Sequence, residues 1–283
     1  MPRAAISLVA AASAVLALAA CAPAKDKPAA KASASSCTPD KLQTLSKGTL
    51  TVATDNPAYP PWYVDDKPAN GKGFESAVAY AVGKQLGYPA DKVKWTVATF
   101  DSIVQLGPKK FDFDANEVSI TPDRKKAVDF SSGYYDVTQA IIALKTSKIA
   151  KAGSIADLQS AKLGAQIGTT SYDTITDTIK PSKKPAVYNT NDIAKQMLKN
   201  GQLDGLVVDL PTAFEMESEI SGTTIVGQVP STGKAEQFGL VLGKDSSLTS
   251  CVSKAVDTLR KNGTLSKLQK QWLATDAGAP VLQ

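Results

Sequence analysis

Four groups of polar residues in this 283-residue chain stand where strands are expected to end, and they are the ones able to do chemistry. Asp55 follows the run Leu50-Thr51-Val52-Ala53-Thr54, and Ser119 with Arg124 closes an alternating stretch over 111–120. Gly168-Thr169-Thr170-Ser171 follows a run over 162–166, and Asp209 ends Leu206-Val207-Val208. An arginine fork matches the two oxygens of a carboxylate and keeps its charge. Free backbone N–H groups where a helix opens favour an anion, and the carboxylate of Asp209 suits a cation. This is the chemistry of charge recognition. The chain has no histidine and three cysteines, so triads built on histidine, His-ligated zinc and all-thiolate metal sites are excluded. No metal and no cofactor are expected. The charge of +5, from 32 Lys+Arg against 27 Asp+Glu, is modest, and no run of like charges marks a nucleic-acid surface. Catalysis by carboxylates or lysine stays open on composition alone.

The elements that must position these residues alternate. Strands are expected over 50–54, 94–98, 111–120, 138–144, 162–166, 186–189, 206–208, 224–229 and 238–242. Helices are expected over 74–86, 100–106, 192–200, 212–218, 249–261 and 264–273, with shorter ones around Leu158 and from 167 on. That order implies α/β units with partly parallel sheets, whose ligands sit beyond the carboxyl ends of the strands. Four strand-end groups so far apart in sequence converge only if two lobes come together.

The N-terminus speaks of export. Residues 1–20 carry one arginine and then an apolar, alanine-rich stretch, too short for a spanning helix. The stretch closes as Leu18-Ala19-Ala20-Cys21, which resembles the lipobox of bacterial lipoproteins. That resemblance implies a signal peptide over 1–20 and a diacylated Cys21, anchoring the protein to the outer face of the cell membrane. Residues 21–47 read as the lipidated cysteine and a polar tether rich in Ala, Lys, Pro and Ser. Cys37 and Cys251 are then left as an even pair in an oxidising compartment. A disulfide is the expectation for an exported protein; two free thiols are the alternative.

Several segments together carry a family resemblance: Val52-Ala53-Thr54-Asp55 with Tyr59-Pro60-Pro61-Trp62, Gly73-Phe74-Glu75, the block 119–135, Gly168-Thr169, 203–209 and 237–242. In collinear order over 49–273 they resemble the extracellular solute-binding proteins of ABC importers for polar amino acids. The resemblance implies a two-lobed, periplasmic-binding-protein-like (type 2) α/β fold with a hinge and an interlobe ligand cleft. Lobe one is expected from 48–138 and 236–275, lobe two from 139–235, and a C-terminal tail from 276–283. The chain is expected to cross between lobes near 138–144 and 234–238. The implied partners are one small amino acid, the permease subunits of an ABC transporter and a membrane reached through the lipid anchor; nucleic acid is not expected, and a monomer is.

A zwitterionic amino acid needs an opposite charge and good hydrogen bonds at each end, because dehydrating either charge is costly. The resemblance implies Arg124 as the carboxylate clamp, with the Ser119 hydroxyl and, from the second lobe, Thr170 beside it. It implies Asp209 as the partner of the ammonium. Tyr59 and Phe100 are expected to line the side-chain pocket with their apolar faces, with Trp62 a weaker candidate, and Asp55 to read the side chain at the mouth of the first strand. Glu117, in Ala115-Asn116-Glu117, departs from the family's small residues and is expected to add a carboxylate. Asp55 and Glu117 together argue against an acidic ligand side chain, because like charges repel in a closed cleft. A neutral polar or cationic amino acid is therefore expected, bound without catalysis. With Arg124 and Asp209 as fixed charges, binding is expected to be nearly flat from pH 6 to 8. The alternative is a cleft enzyme of the same fold, such as a cyclohexadienyl dehydratase, with Glu117 or Glu75 as a general acid of raised pKa.

Overall fold

The computed structural model describes residues 37–231, 233, 235–273 and 278–283. The expected signal peptide, Cys21, residues 22–36 of the tether and Lys234 of the second crossing lie outside the described residues.

Lobe one opens with β1 (Leu50–Thr54), whose Leu50, Val52 and Ala53 are fully buried. Then come α1 (Phe74–Gln85), β2 (Val93–Val97), α2 (Phe100–Val104), β3 (Phe113–Asp114), α3 (Arg124–Ala127), β4 (Val128–Phe130) and β5 (Tyr135–Val137). β1 runs parallel to β2 and to β3, so the carboxyl ends of these strands point one way, toward the cleft. Gly73 starts α1 at φ 96°, and a Cβ there would sit 2.3 Å from the carbonyl oxygen of Trp62. Only glycine fits both demands.

The chain then builds lobe two: β6 (Gln139–Leu144), β7 (Leu163–Gln166), α4 (Thr170–Asp173), β8 (Ala186–Tyr188), α5 (Asn191–Lys199), β9 (Gly205–Asp209), α6 (Leu210–Glu219) and β10 (Thr223–Gln228). Its sheet runs β10-β6-β9-β7-β8. Successive β6 residues face opposite layers, Ile141 and Ala143 toward Leu158, Leu163 and Ile175, and Ala140 and Ile142 toward Leu198, Leu206 and Ala213. Cover on both faces is why this strand reads as an apolar run with a single polar residue, Gln139, at its start.

The return leg, β11 (Glu236–Phe238) and β12 (Val241–Gly243), leads to α7 (Thr249–Lys261) and α8 (Thr264–Trp272). β12 completes the lobe-one sheet, whose order is β2-β1-β3-β12-β4. α7 buries Cys251, Val252, Ala255, Val256 and Leu259, a stripe at helical spacing, against the lobe-one core. Cys251 is bonded to Cys37, 214 residues earlier. Closing so long a loop stabilises the fold by roughly 2–4 kcal/mol, mainly by restricting the unfolded chain.

β5 and β11 pair antiparallel between the lobes, Glu236 opposite Val137 and Phe238 opposite Tyr135. Tyr135 and Phe238 stack on Trp62 and Phe74, with ring centroids 5.5–5.7 Å from Trp62 or Phe74 where they meet edge-on. Such pairs add about 0.5–1.5 kcal/mol each beyond area burial, which fastens the hinge strands to lobe one.

Three expectations are corrected, and two short strands had not been expected. The strand over 111–120 reduces to a two-residue ladder, because Glu117 turns the backbone at φ 53°. The strand over 238–242 is split between the hinge ribbon and the lobe-one sheet. β4 and β5, only three residues each, carry too little pattern to be read. The segment expected as a C-terminal tail returns to lobe two: Val281 bridges Gln228, and Leu282, 3% exposed, packs with Ile141 and Val226.

Candidate functional site

The carboxyl ends of β1, β3, β7 and β9 meet across a cleft of ≈ 670 Å³, its open mouth included. Seven of the eight expected side chains line it: Asp55, Tyr59, Phe100, Glu117, Arg124, Thr170 and Asp209. Ser119 does not. It is 1% exposed and lies behind the lining, although its hydroxyl comes within 3.5 Å of Thr170 Oγ1 from the other lobe.

Arg124 is the first residue of α3, where the break after Ser119-Ile120 turns its side chain inward. Its Nη1 donates to Ser119 O at 2.8 Å and its Nη2 to Gly168 O, across the cleft, at 2.9 Å. The guanidinium lies 5.4 Å above the Phe100 ring. Phe100, expected as a pocket wall, therefore also serves as the platform under the clamp. A guanidinium has five donors, so three N–H groups remain beyond these two bonds. Burial pulls its pKa down, while the charges of Glu236, Asp173 and Asp209 push it up.

Thr170 opens α4 after Thr169, whose hydroxyl accepts from Tyr172 N at 3.3 Å as an N-cap. Gly168 makes the approach at φ 73°. Asp209 ends β9, and its Oδ1 accepts from Gln139 Nε2 at 2.6 Å. Burial, and then the nearby charge of Glu236, hold its carboxyl well above the usual range.

At the other end, Glu117 closes a chain of contacts between the lobes. Trp62 Nε1 donates to Thr212 Oγ1 at 3.1 Å, and that hydroxyl donates to Glu117 Oε2 at 3.0 Å. Trp62 is fully buried in the lobe-one core and does not line the cleft, which settles its place as packing with one polar handle. Burial, then the charges of Glu75 and Asp209, raise the Glu117 carboxyl well above its ordinary value. Glu75 is fully buried behind it, accepts from Glu117 N at 2.7 Å and from the Tyr134 hydroxyl, and is pushed up to about 7 by burial. Asp114, also fully buried, has no hydrogen-bond partner for either oxygen, and the same holds for Asn116 Nδ2. The fixed-charge expectation for Asp209 thus gives way: burial and the charge of Glu236 disfavour its ionised form, so its charge is conditional.

Two residues have other employment than expected. Both Asp55 oxygens accept backbone N–H groups, from Asn56 at 2.7 Å and Phe100 at 3.1 Å, so the side chain fastens the start of α2. The Tyr59 ring lies 5.0 Å beneath Lys195 Nζ of lobe two, itself paired with Asp192 and Glu219.

Sequence reasoning missed Glu236 and Gln139. Glu236, on hinge strand β11, accepts the hydroxyls of Ser119 and Thr170 on Oε1, the latter at 2.5 Å, and Gln139 Nε2 on Oε2 at 3.3 Å. Gln139, 5% exposed, is held in turn by Ser171 Oγ at 2.7 Å. The signal was present: a glutamine opening an otherwise apolar strand, and an acid just before Gln237-Phe238-Gly239. Among the described residues, no group of three or more His, Cys, Asp or Glu is placed to hold a metal ion, and no helix is long and apolar enough to cross a membrane.

The chain is similar to known proteins along most of its length. An L-cystine-binding protein, TcyJ of Escherichia coli (strain K12), is 27% identical over 237 residues, covering 81% of this chain and 84% of its own. An ABC transporter arginine-binding protein of the same strain is 29% identical over 222 residues, covering 76% and 86%. The solved structure of an ancestral arginine-binding protein bound to glutamine superposes with a TM-score of 0.67 at 32% identity, over 80% of this chain and 98% of that one. Residues 50–275 match the family description "Bacterial extracellular solute-binding proteins, family 3", and the chain belongs to that family.

Proposed function

We propose that this protein is the extracytoplasmic receptor of an ABC importer and that it binds a cationic amino acid. The observation that carries the reading is the distribution of charge along one cleft. Arg124 and Thr170 line an end suited to a carboxylate, with the Ser119 hydroxyl behind them, Asp209 faces it from β9, and Glu117 stands at the far end with Glu75 and Asp114 behind. A zwitterion laid between Arg124 and Asp209 bridges the lobes, so closure is favoured only when both its charges are present. A cationic side chain meets Glu117 and supplies the charge that its surroundings lack. The names of the arginine-binding relatives support this choice, while the cystine-binding relative and the glutamine-bound neighbour are why neutral amino acids belong in the test.

In this reading residues 48–138 with 236–275 form the lobe that carries the clamp, and 139–235 the lobe that closes on it. Asp55, Tyr59 and Phe100 shape the side-chain pocket, Cys21 carries the lipid, and the receptor works as a monomer outside the membrane. It captures its ligand and does not transform it; the raised carboxyls of Glu75 and Glu117 tune charge and do not serve as general acids. Isothermal titration of residues 22–283 with the common L-amino acids and L-cystine tests the assignment. Arginine, lysine or ornithine should bind most tightly, below about 100 μM, equivalent to about −5.5 kcal/mol. If no amino acid reaches that affinity, the receptor reading is abandoned. Turnover of prephenate or arogenate would replace it with the enzymatic one.

A further inference from the structure

At the Arg124 end, directly behind the cleft lining, the hydroxyl donors already hold a carboxylate. Glu236 reaches in from hinge strand β11, and its Oε1 takes the hydroxyl of Ser119 from lobe one and that of Thr170 from lobe two. Its Oε2 takes Gln139 Nε2, which also donates to Asp209. These hydroxyls are the donors assigned above to the α-carboxylate of the ligand. Each has one proton to give, so it serves one carboxylate at a time. Two carboxylates sharing one buried site repel strongly, so both cannot remain there ionised. Arg124 feels the charge of Glu236 but does not bond it: its two hydrogen bonds go to carbonyl oxygens, and it forms no ion pair with Glu236 among the described residues.

We propose that Glu236 is a tethered stand-in for the ligand's carboxylate, which latches Ser119 to Thr170, holds the cleft shut without ligand, and is expelled when an amino acid binds. The proposal rests on the receptor reading for the identity of what displaces it, but the latch itself does not. The tether makes the competition intramolecular, at an effective concentration in the millimolar range for a short connection. Ligand affinity is then lowered by the fraction of molecules that are latched. Position matters as well. A latch on a hinge strand is released by the same backbone movement that opens the cleft, so opening and release form one step. Arg124 stays free of it and can receive the incoming carboxylate first.

The test compares wild type with Glu236→Ala and Glu236→Gln, each stripped of bound amino acid by unfolding with the disulfide intact and then refolded. Small-angle scattering reads the ligand-free size, and calorimetry reads affinity for L-arginine and the other common L-amino acids. The alanine variant should have a larger ligand-free radius of gyration than wild type and bind at least about fivefold tighter, the lower bound of ordinary coupling between states. The glutamine variant keeps the shape and one acceptor oxygen, so it should fall between the two and guard against a folding artefact in the alanine variant. An unchanged ligand-free size overturns the latch. Weaker binding in both variants overturns the competition, because Glu236 would then be a ligand contact. If no amino acid binds even wild type, the receptor reading fails, while the scattering comparison still decides the latch.

Discussion

The two ends of the cleft differ in how their polar groups are served. At the end near Arg124, the hydroxyls of Ser119 and Thr170, the amide of Gln139 and two of the guanidinium donors all have partners within the protein. At the end near Glu117, the opposite holds. Asp114 and Asn116 keep buried polar atoms without partners, and Glu75 and Glu117 sit together with raised carboxyls. A buried, unpaired polar group costs about 1–3 kcal/mol, so the second end stores a cost that the first does not. The difference teaches how binding energy is divided. With Glu236 as the proposed stand-in, the first end would exchange one carboxylate for another and gain little net contact, while the second would gain partners it lacks. The first end should set whether any amino acid binds, and the second which one.

The largest test of this division is Arg124→Ala. It removes the cationic donor that lines the first end among the described residues, and affinity for every amino acid should fall at least about a hundredfold, near 3 kcal/mol. Calorimetry reads the loss, and an unchanged melting temperature shows that the fold survives. Retained affinity would place the carboxylate elsewhere.

Glu75→Gln addresses the stored cost. The folded pKa of Glu75 is pushed up to about 7 from an ordinary 4.5. The folded protein therefore holds a proton that the unfolded chain releases between those values, and stability falls as pH rises through that window. The drop is on the order of 3 kcal/mol, fully absent below about pH 4.5 and complete above about pH 7. Urea unfolding at pH 4.5, 6 and 8 should show the slope in wild type and a flatter profile in the glutamine variant. Equal slopes would mean that Glu75 carries no stored cost.

Glu117→Gln separates selection from capture. Affinity for L-arginine should fall about tenfold, near 1.4 kcal/mol, with less than about a threefold change for L-glutamine. An equal loss for both would assign Glu117 to closure through Thr212 and not to choice of ligand.

The smallest effect concerns pH. Asp209 and Glu117 are both held above the usual carboxylate range, chiefly by burial, and a cation favours their ionised forms. Binding of arginine should release protons, and affinity should rise severalfold from pH 5 to 8. Titration in buffers of different ionisation enthalpy measures the release. A profile flat over this range would restore the view of Asp209 as a fixed charge.

Much of this was legible in the residues. β1 and α7 carry patterns that the sequence shows, β1 as a short apolar run covered on both faces and α7 as a buried stripe at helical spacing. Arg124 was legible as a cleft residue because the block 119–135 around it carries the family resemblance, while Ser119 from the same block lies behind the lining. Glu236 was not, since it belongs to a connecting strand of three residues, and an acid there reads as solvent-facing until the fold folds it inward. The conditional charge of Asp209 was hidden for a related reason: burial is a property of neighbours, and Glu236, Gln139 and Asp209 come from three separate strands. Asp55 shows the converse, a residue in the right place whose oxygens are taken by its own loop.

The disulfide at Cys37 and the return of Leu282 to the second core give the two ends of the described chain different attachments. One moves with the lobe that carries the clamp, the other with the lobe that closes on it. The separation between them is thus a natural gauge of hinge angle. A dye pair on Thr38 and Gln283, both remote from the cleft in sequence, would convert each closing event into a change of energy transfer, one molecule at a time.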